Sequence, residues 1–488
     1  MRQWRAIVSD GPQRPSDVPA PAFEGRTLAA AVGGRLVREG RQSIRAAAVD
    51  SRRVRPGMAF YALPGEHTDG HRFLEAAVAA GAGALIVSAL PDDAALDVLT
   101  AAGASVIAVA DPGVALLAAA RAWRDRWHPL VVGVTGSLAK TSTKEQIGEV
   151  LSERWTVLRN EGNENNEIGL PLTLLRSGPE HQALVLEMGL YVPGDIRLLA
   201  RLARPTIGVV TAVRGVHLSR AGTIDAIEAG KRELIEALPA GGTAILNADD
   251  PRVTRWVPPA GVATLRYGFD GAADVTATDV VALGADGMRF TLVLPGARLP
   301  VATPALGRHS VHNALAAAAV GSIAGLDPDM IARGIARGFR APHRTALVPL
   351  RDRLVLDDSY NASPDSMVAA LELLASLPGR RVAVLGEMME LGDGTLEGHR
   401  LVGRRAAADA DLLLVVGEGA AAIADGAAAA GMPADRIVRV ADRAAATAWL
   451  AERSRSDDAI LVKASRGAAL DLLVDDLVRL FGADGAHA

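Results

Sequence analysis

Residues 131–145 read VVGVTGSLAKTSTKE, an apolar run that passes through glycines into a lysine and neighbouring hydroxyls. This is the chemistry of a phosphate-binding loop. The strict pattern G-x-x-x-x-G-K-[ST] wants glycine at 134 and 139; the chain has Val134 and Ala139. The context still fits, with a buried strand, Gly133 and Gly136, Lys140-Thr141, then a helix start. A helix N-terminus offers free N–H groups and a positive dipole end to phosphate. Gly136, Ser137 and Ser142 would line such a loop, Lys140 would bring a point charge to the outer phosphates, and Thr141 a hydroxyl for Mg²⁺. An ordinary strand-to-helix turn with a surface lysine explains the same residues.

Further candidates stand at strand ends. Glu187 closes ALVLEMG and His217 follows TIGVVTAV; carboxylate and imidazole are ligands for hard to intermediate metals. A solvated strand end and a hydrogen-bonded core histidine are the bland alternatives. Lys231 lies in the charged helical run EAGKRELIEAL, where a solvated helix face is the default. Taken together at neighbouring strand tips, the three gain weight as one site. Residues 160–167, NEGNENNE, form either a turn-rich loop or a polar wall for a hydroxylated ligand. In DDSYNASPDSM the paired Asp357 and Asp358 suit ribose or a metal, while Ser363 and Pro364 suit an N-cap followed by N1.

Several classes are excluded by composition. The net charge of −4 argues against a nucleic-acid surface, and the absence of cysteine removes disulfides, thiolate catalysis and Cys-ligated zinc. Arg, Asp and Gly interrupt every apolar run before it reaches membrane-spanning length. The first residues lack a signal peptide's apolar centre, so the expected setting is the cytoplasm.

The elements that must position these residues follow from periodicity. At 488 residues the chain is too long for one core. The expectation is an irregular leader over 1–22, then domains over 23–127, 128–341 and 342–488. In the first, TLAAAVGGRLV reads as a helix ending at Gly33-Gly34, and AAAVDSRRVRPGMAFYAL as two short strands around Pro56-Gly57. HRFLEAAVAAGAGALIVS reads as helix, glycine stop and strand; GVALLAAARAWRDRW as a helix running to about Trp127. In the second, LVVGVTG, ALVLEMG, TIGVVTAV and TAILNADD are buried strands whose carboxyl ends carry Lys140-Thr141, Glu187, His217 and Asn247–Asp249. Open α/β sheets bind ligands at such ends. Ile147, Val150, Leu151 and Trp155 mark one helix face. Residues 262–300 read as a β insertion and SVHNALAAAAVGSIAG as the helix after it. The third region has five strand-like runs separated by helices, a Rossmann-type parallel sheet, and a loose tail, FGADGAHA.

These stretches, with VDSRRVRPGMAFYALPGEHTDGHRFL, NNEIGLPLTLL, ARPTIGVVT, LNADDPRV, GRHSVHNALAAAAVG, VAVLGEMMELGD and GHRLVG, resemble in order the Mur ligase family. Within it they resemble the ligases that add D-alanyl-D-alanine to UDP-N-acetylmuramoyl-tripeptide. The resemblance implies a smaller N-terminal α/β domain binding UDP, a central P-loop ATPase-like parallel-sheet domain and a C-terminal Rossmann-like domain. It implies ATP and Mg²⁺, an acyl-phosphate intermediate and a monomer, while composition and apolar-run length argue against nucleic acid and membrane insertion. By position, Lys140 and Thr141 match the phosphate-loop pair, Glu187 and His217 magnesium ligands, and Lys231 a lysine often carbamylated into a further ligand. Asn313 matches an adenine contact, Arg344 an arginine reaching the γ-phosphate, and Asp358 the aspartate near ribose. Ser51 and Arg52 match the UDP pocket, and Asn165 and Asn166 the stretch facing the sugar-peptide; Asn361, Ser465 and Arg466 fall near the dipeptide site.

The chain departs from the family at Ala139, at Ala212-Val213-Arg214 before His217, at Ser219, at Gly230 before Lys231 and at Ala464. A Cβ at position 139 would cost about 1–2 kcal/mol if the loop needs a left-handed residue there. The alternative reading is a weakened or non-catalytic relative that binds the UDP precursor, and ATP turnover separates the two. Ligases of the same fold for diamino acids or folate are a third reading. The first of these often carries Asp-Asn-Pro-Arg, a stretch absent after residue 345.

Overall fold

The computed structural model describes residues 22–65, 68–215, 222–339 and 341–482. The expected leader, apart from Ala22, and all but the first two residues of the tail lie outside them, as does His217.

Four sheets organise these residues. The first contains β1 (Arg35–Arg38), β2 (Ala47–Ala48), β3 (Ala59–Tyr61), β4 (Ala84–Val87) and β5 (Ser105–Ala108), in the order β1-β5-β4-β3-β2. The two strands flanking Pro56-Gly57 are parallel neighbours. Their link holds a 3₁₀ turn at Ser51–Arg53 and Gly57 at φ 82°. The helix expected to reach Trp127 ends at Arg124. Residue 128 precedes Pro129, which disfavours helical backbone there, and the Trp127 ring packs edge-on to Trp123 at 6.0 Å.

The central sheet is wholly parallel: β6 (Leu130–Thr135), β7 (Val157–Arg159), β8 (Ala183–Glu187), β9 (Ile207–Val210), β10 (Thr243–Asn247) and β11 (Ala263–Tyr267), ordered β11-β10-β9-β6-β8-β7. The strand before the phosphate loop is thus interior, with β8 and β9 beside it. Buried on both faces, β6, β8, β9 and β10 read as continuous apolar runs because helices cover the sheet. Ile147, Val150 and Leu151 of the helix Lys140–Leu151 are fully buried, and Trp155 packs against the same cluster. The alanine-rich helix Arg308–Ile323 joins that cluster.

The β insertion divides in two. β11 completes the central sheet, while β12 (Thr276–Ala282), β13 (Met288–Leu294) and β14 (Ala297–Thr303) form a separate antiparallel meander. The last sheet orders β15 (Ala346–Pro349), β16 (Leu354–Asp357), β20 (Asp458–Lys463), β17 (Arg380–Leu385), β18 (Leu412–Val416) and β19 (Ile437–Val440). Five strands are the expected parallel runs. The sixth, β15, is an antiparallel edge that Pro349 tolerates because an edge strand needs fewer N–H donors.

Candidate active site

The loop after β6 is shaped by two close constraints. Gly136 sits at φ 154°, and a Cβ there would lie 1.8 Å from Thr211 Oγ1. Ala139 holds φ 60°, ψ 8° at the N-cap of the helix Lys140–Leu151. This is the left-handed conformation that glycine adopts without penalty. The helix's first backbone bond runs from Thr143 N to Ala139 O at 2.9 Å. The amides of residues 140–142 precede it and are the free donors of a helix start. Ser137 N donates to Ala212 O at 2.7 Å, and Thr211 Oγ1 to Leu138 O at 2.6 Å, so the β9 end braces the loop.

Beneath the loop, Glu187 at the tip of β8 accepts from Thr141 Oγ1 at 2.7 Å and from Asn165 Nδ2 at 2.8 Å. Asn160 donates to the Glu187 carbonyl at 3.0 Å and accepts its N–H at 2.9 Å, fixing the carboxylate's backbone. The asparagine-rich run therefore acts as a brace as well as a wall. Asn166 serves differently: its Oδ1 accepts the amides of Ile168 and Gly169, capping the helix Gly169–Arg176.

Lys231 corrects the solvated-face reading. It lies inside the helix Ile224–Glu236 and is 3 % exposed. Burial pushes its pKa well below the usual lysine value; nearby Lys140 adds to the shift and Glu187 opposes it. Lys140 is lowered by burial too, with Glu187 raising it and Arg344 lowering it. Two lysines and one carboxylate thus share a small volume.

A cleft of about 560 Å³ opens over this group. Ser137, Lys140, Thr141, Ser142, Asn165, Glu187 and Asn313 line it from the central sheet's side; Arg344, Asp358, Asn361, Ser465 and Arg466 line it from the last sheet's side. Asn313 is held by Thr143 Oγ1 at 3.0 Å. Arg344 lies over the Tyr360 ring at 4.1 Å, a cation–π arrangement that orients the guanidinium. Arg466 lies over the same ring at 5.3 Å and donates to its hydroxyl at 3.3 Å. Asp358 accepts from Lys463 Nζ at 2.5 Å and from Thr345 N at 3.0 Å. Ser465 Oγ accepts from Met389 N at 2.9 Å. Asp357 accepts from Ser359 Oγ at 2.6 Å and bonds His343 Nδ1 at 2.8 Å, making it structural support. Ser363 caps the next helix, with Pro364 at N1.

Ser51 and Arg52 stand apart from the cleft. Arg52 pairs with Asp50 at 2.6 Å in the first sheet's 3₁₀ turn. Arg53 beside it reaches Glu164 of the asparagine-rich run at 3.4 Å. Lys463 and Tyr360 are the residues whose site roles the sequence reading missed. The visible signal for Lys463 was a charge ending the buried run DAILVK. No comparable signal marks Tyr360, whose role depends on two arginines distant in sequence.

Among the described residues, no group of three His, Cys, Asp or Glu side chains is placed to hold a metal ion. The donors that do meet, a threonine hydroxyl and a carboxylate 2.7 Å apart below a phosphate loop, nevertheless suit Mg²⁺. That ion takes few protein ligands and completes its shell with water and phosphate oxygens.

Models of the Mur ligase family match along the chain: the catalytic domain over residues 43–132, the middle domain over 134–321 and the glutamate ligase domain over 343–466. The chain belongs to the Mur ligase family and is an ATP-dependent ligase. It is 37% identical over 433 residues to the UDP-N-acetylmuramoyl-tripeptide--D-alanyl-D-alanine ligase of Escherichia coli, covering 88% of this chain and 92% of that one. Among solved structures, MurF from Acinetobacter baumannii superposes with a TM-score of 0.83 at 30% identity, over 95% of this chain and 100% of that one. MurF from Thermotoga maritima in complex with ADP gives 0.77 at 28% identity, over 89% and 97%.

Proposed function

We propose that the protein joins D-alanyl-D-alanine to UDP-N-acetylmuramoyl-tripeptide at the expense of ATP, a step of peptidoglycan precursor synthesis in the cytoplasm. The observation that carries the reading is the meeting of Lys140, Thr141 and Glu187 with Arg344 and Asp358 in one cleft between two sheets. The chain's likeness to ligases of that name supports the substrates.

A carboxylate resists attack by an amine until one oxygen becomes a good leaving group. In the first step a carboxylate oxygen of the tripeptide attacks the γ-phosphorus of ATP, and the bond to the β-bridging oxygen breaks. ADP leaves and an acyl phosphate remains. The dipeptide's amine then attacks the acyl carbon, the C–O bond to phosphate breaks, and an amide, inorganic phosphate and a proton result. Catalysis of this kind is mostly positioning and charge neutralisation.

The free amides of 140–142 and the Lys140 ammonium hold the outer phosphates, and Arg344 faces them from the other wall. Asn313 and Asp358 hold adenine and ribose. Thr141, Glu187 and, from outside the described residues, His217 would hold Mg²⁺, which supplies charge neutralisation at the phosphates when bound. Lys231, whose charged form is disfavoured by burial, is suited to capture carbon dioxide as a carbamate, turning a cation into a further oxygen ligand. Ser51 and Arg52 serve the uridine end, Asn165 and Asn166 border the sugar-peptide, and Asn361, Ser465 and Arg466 border the dipeptide. The three domains, 23–127, 128–341 and 342–488, act as a monomer.

Among the described residues, no helix is long and apolar enough to cross a membrane. The bonded contact between Thr141 and Glu187 favours an active site over a binding-only relative. The test is phosphate release with Mg²⁺: it is expected only when ATP, the tripeptide precursor and D-alanyl-D-alanine are all present. Turnover indifferent to the dipeptide would refute the substrate assignment.

A further inference from the structure

Arg214 lies in one of the stretches where the chain departs from the family, and its surroundings give it a task. Its N–H donates to Ser137 Oγ at 2.9 Å, while that hydroxyl donates to the Arg214 carbonyl at 3.0 Å. Its backbone is therefore clamped on the phosphate loop. Its guanidinium bonds the buried Asp250 through Nη1, which also donates to Val213 O at 2.9 Å. The remaining edge of the fork, Nε, lies 3.5 Å from Asp365 Oδ2. Asp365 belongs to the first turn of the helix Pro364–Ala375, which packs on the last sheet and lines the opposite wall of the cleft.

We propose that Arg214 is a positioning residue for the nucleotide. Anchored on the loop through Ser137 and on the central sheet through Asp250, it draws Asp365 and the opposite wall onto ATP.

Three features favour this over a solvated surface arginine. Asp250 is completely buried and independently accepts the amides of Val213, Arg252 and Val253, so it is a fixed post for the guanidinium. A guanidinium presents several donors in a rigid fork, so one arm can be held while another edge faces a second carboxylate. Finally, the tie joins the two walls that supply Lys140 and Arg344 to the same phosphates. The Arg214 and Asp365 side chains are 38% and 55% exposed, so the effect is modest and sensitive to salt.

The proposal rests on the ATP site assigned above. The test is a double-mutant cycle of Arg214→Gln and Asp365→Asn in the full chain, read by calorimetric ATP affinity without tripeptide and by solution scattering. Each single change is expected to weaken ATP binding about two- to fivefold. The double variant should be no weaker than the worse single. Each variant should also show a larger radius of gyration than the unmodified protein at saturating ATP. The affinity difference of the Asp365→Asn variant should vanish near 1 M salt, where the screening length falls to about 3 Å. An Asp365→Asn variant with unchanged affinity, or single effects that multiply in the double, would overturn the tie. Failure of dipeptide-dependent turnover in the unmodified protein would count against the ligase reading and leave these nucleotide measurements standing.

Discussion

The two walls of the cleft solve opposite electrostatic problems. On the central sheet's side, Lys140 and Lys231 crowd one carboxylate and their charged forms are disfavoured. On the last sheet's side, Lys463 is 2.5 Å from Asp358 and also donates to Asn361 O at 2.9 Å. The first arrangement gains from an incoming polyanion; the second is neutralised before anything binds. One wall stores reactivity at a cost in stability, whereas the other is a rigid platform whose charges hold it together.

The contrast is most sharply tested by removing one lysine from each wall. Lys140→Met should reduce kcat/KM for ATP by about 10²–10³-fold, the cost of losing a preorganised charge at developing negative charge. Its melting temperature should stay level or rise. Lys463→Met should instead lower stability by about 3 kcal/mol, because Asp358 is left largely buried without its cation. That corresponds to a melting shift of roughly 6–12 °C. If both variants lost stability alike, the contrast would fail.

Lys231 extends the comparison to pH. Its folded pKa lies below its unfolded value, so the unfolded chain binds more protons through the window between the two. Stability should therefore rise with pH across that window. In carbon-dioxide-free buffer, Lys231→Met should flatten this rise in denaturant unfolding curves. Added bicarbonate should raise turnover of the unmodified protein only; an equal response in the variant would contradict a carbamate.

The smallest expected effect concerns Ala139. Relief of its left-handed strain, about 1–2 kcal/mol, is offset by the greater freedom of glycine in the unfolded chain, about 0.4–1 kcal/mol. Ala139→Gly should thus stabilise by at most about 1.6 kcal/mol and tighten ATP binding slightly, measured by thermal unfolding and calorimetry. A destabilised variant would show that the alanine methyl packs favourably enough to outweigh its backbone.

How much of this was legible in the sequence depends on the range of the interaction. The parallel central sheet could be read because strands covered on both faces must be apolar throughout and end in polar residues. Lys140, Thr141 and Glu187 were legible for the same reason, each standing where a buried run stops. The burial of Lys231 was hidden, since a helix with charges on several faces does not declare which one turns inward. That Asn166 also holds the start of a helix through the Ile168 and Gly169 amides was not legible, because asparagine suits a wall and a cap alike. The antiparallel strand β15 was missed: four residues ending in proline carry too little pattern. The pairing of Lys463 with Asp358 joins residues 105 positions apart, which no local pattern encodes.

The central claim is that a tripeptide carboxylate is activated by phosphorylation in this cleft. It is tested most directly with precursor carrying ¹⁸O in its terminal carboxylate, turned over with ATP and D-alanyl-D-alanine and analysed by mass spectrometry. The account predicts one ¹⁸O in each inorganic phosphate released, carried there when the amine breaks the C–O bond. Amide product accompanied by unlabelled phosphate would contradict it.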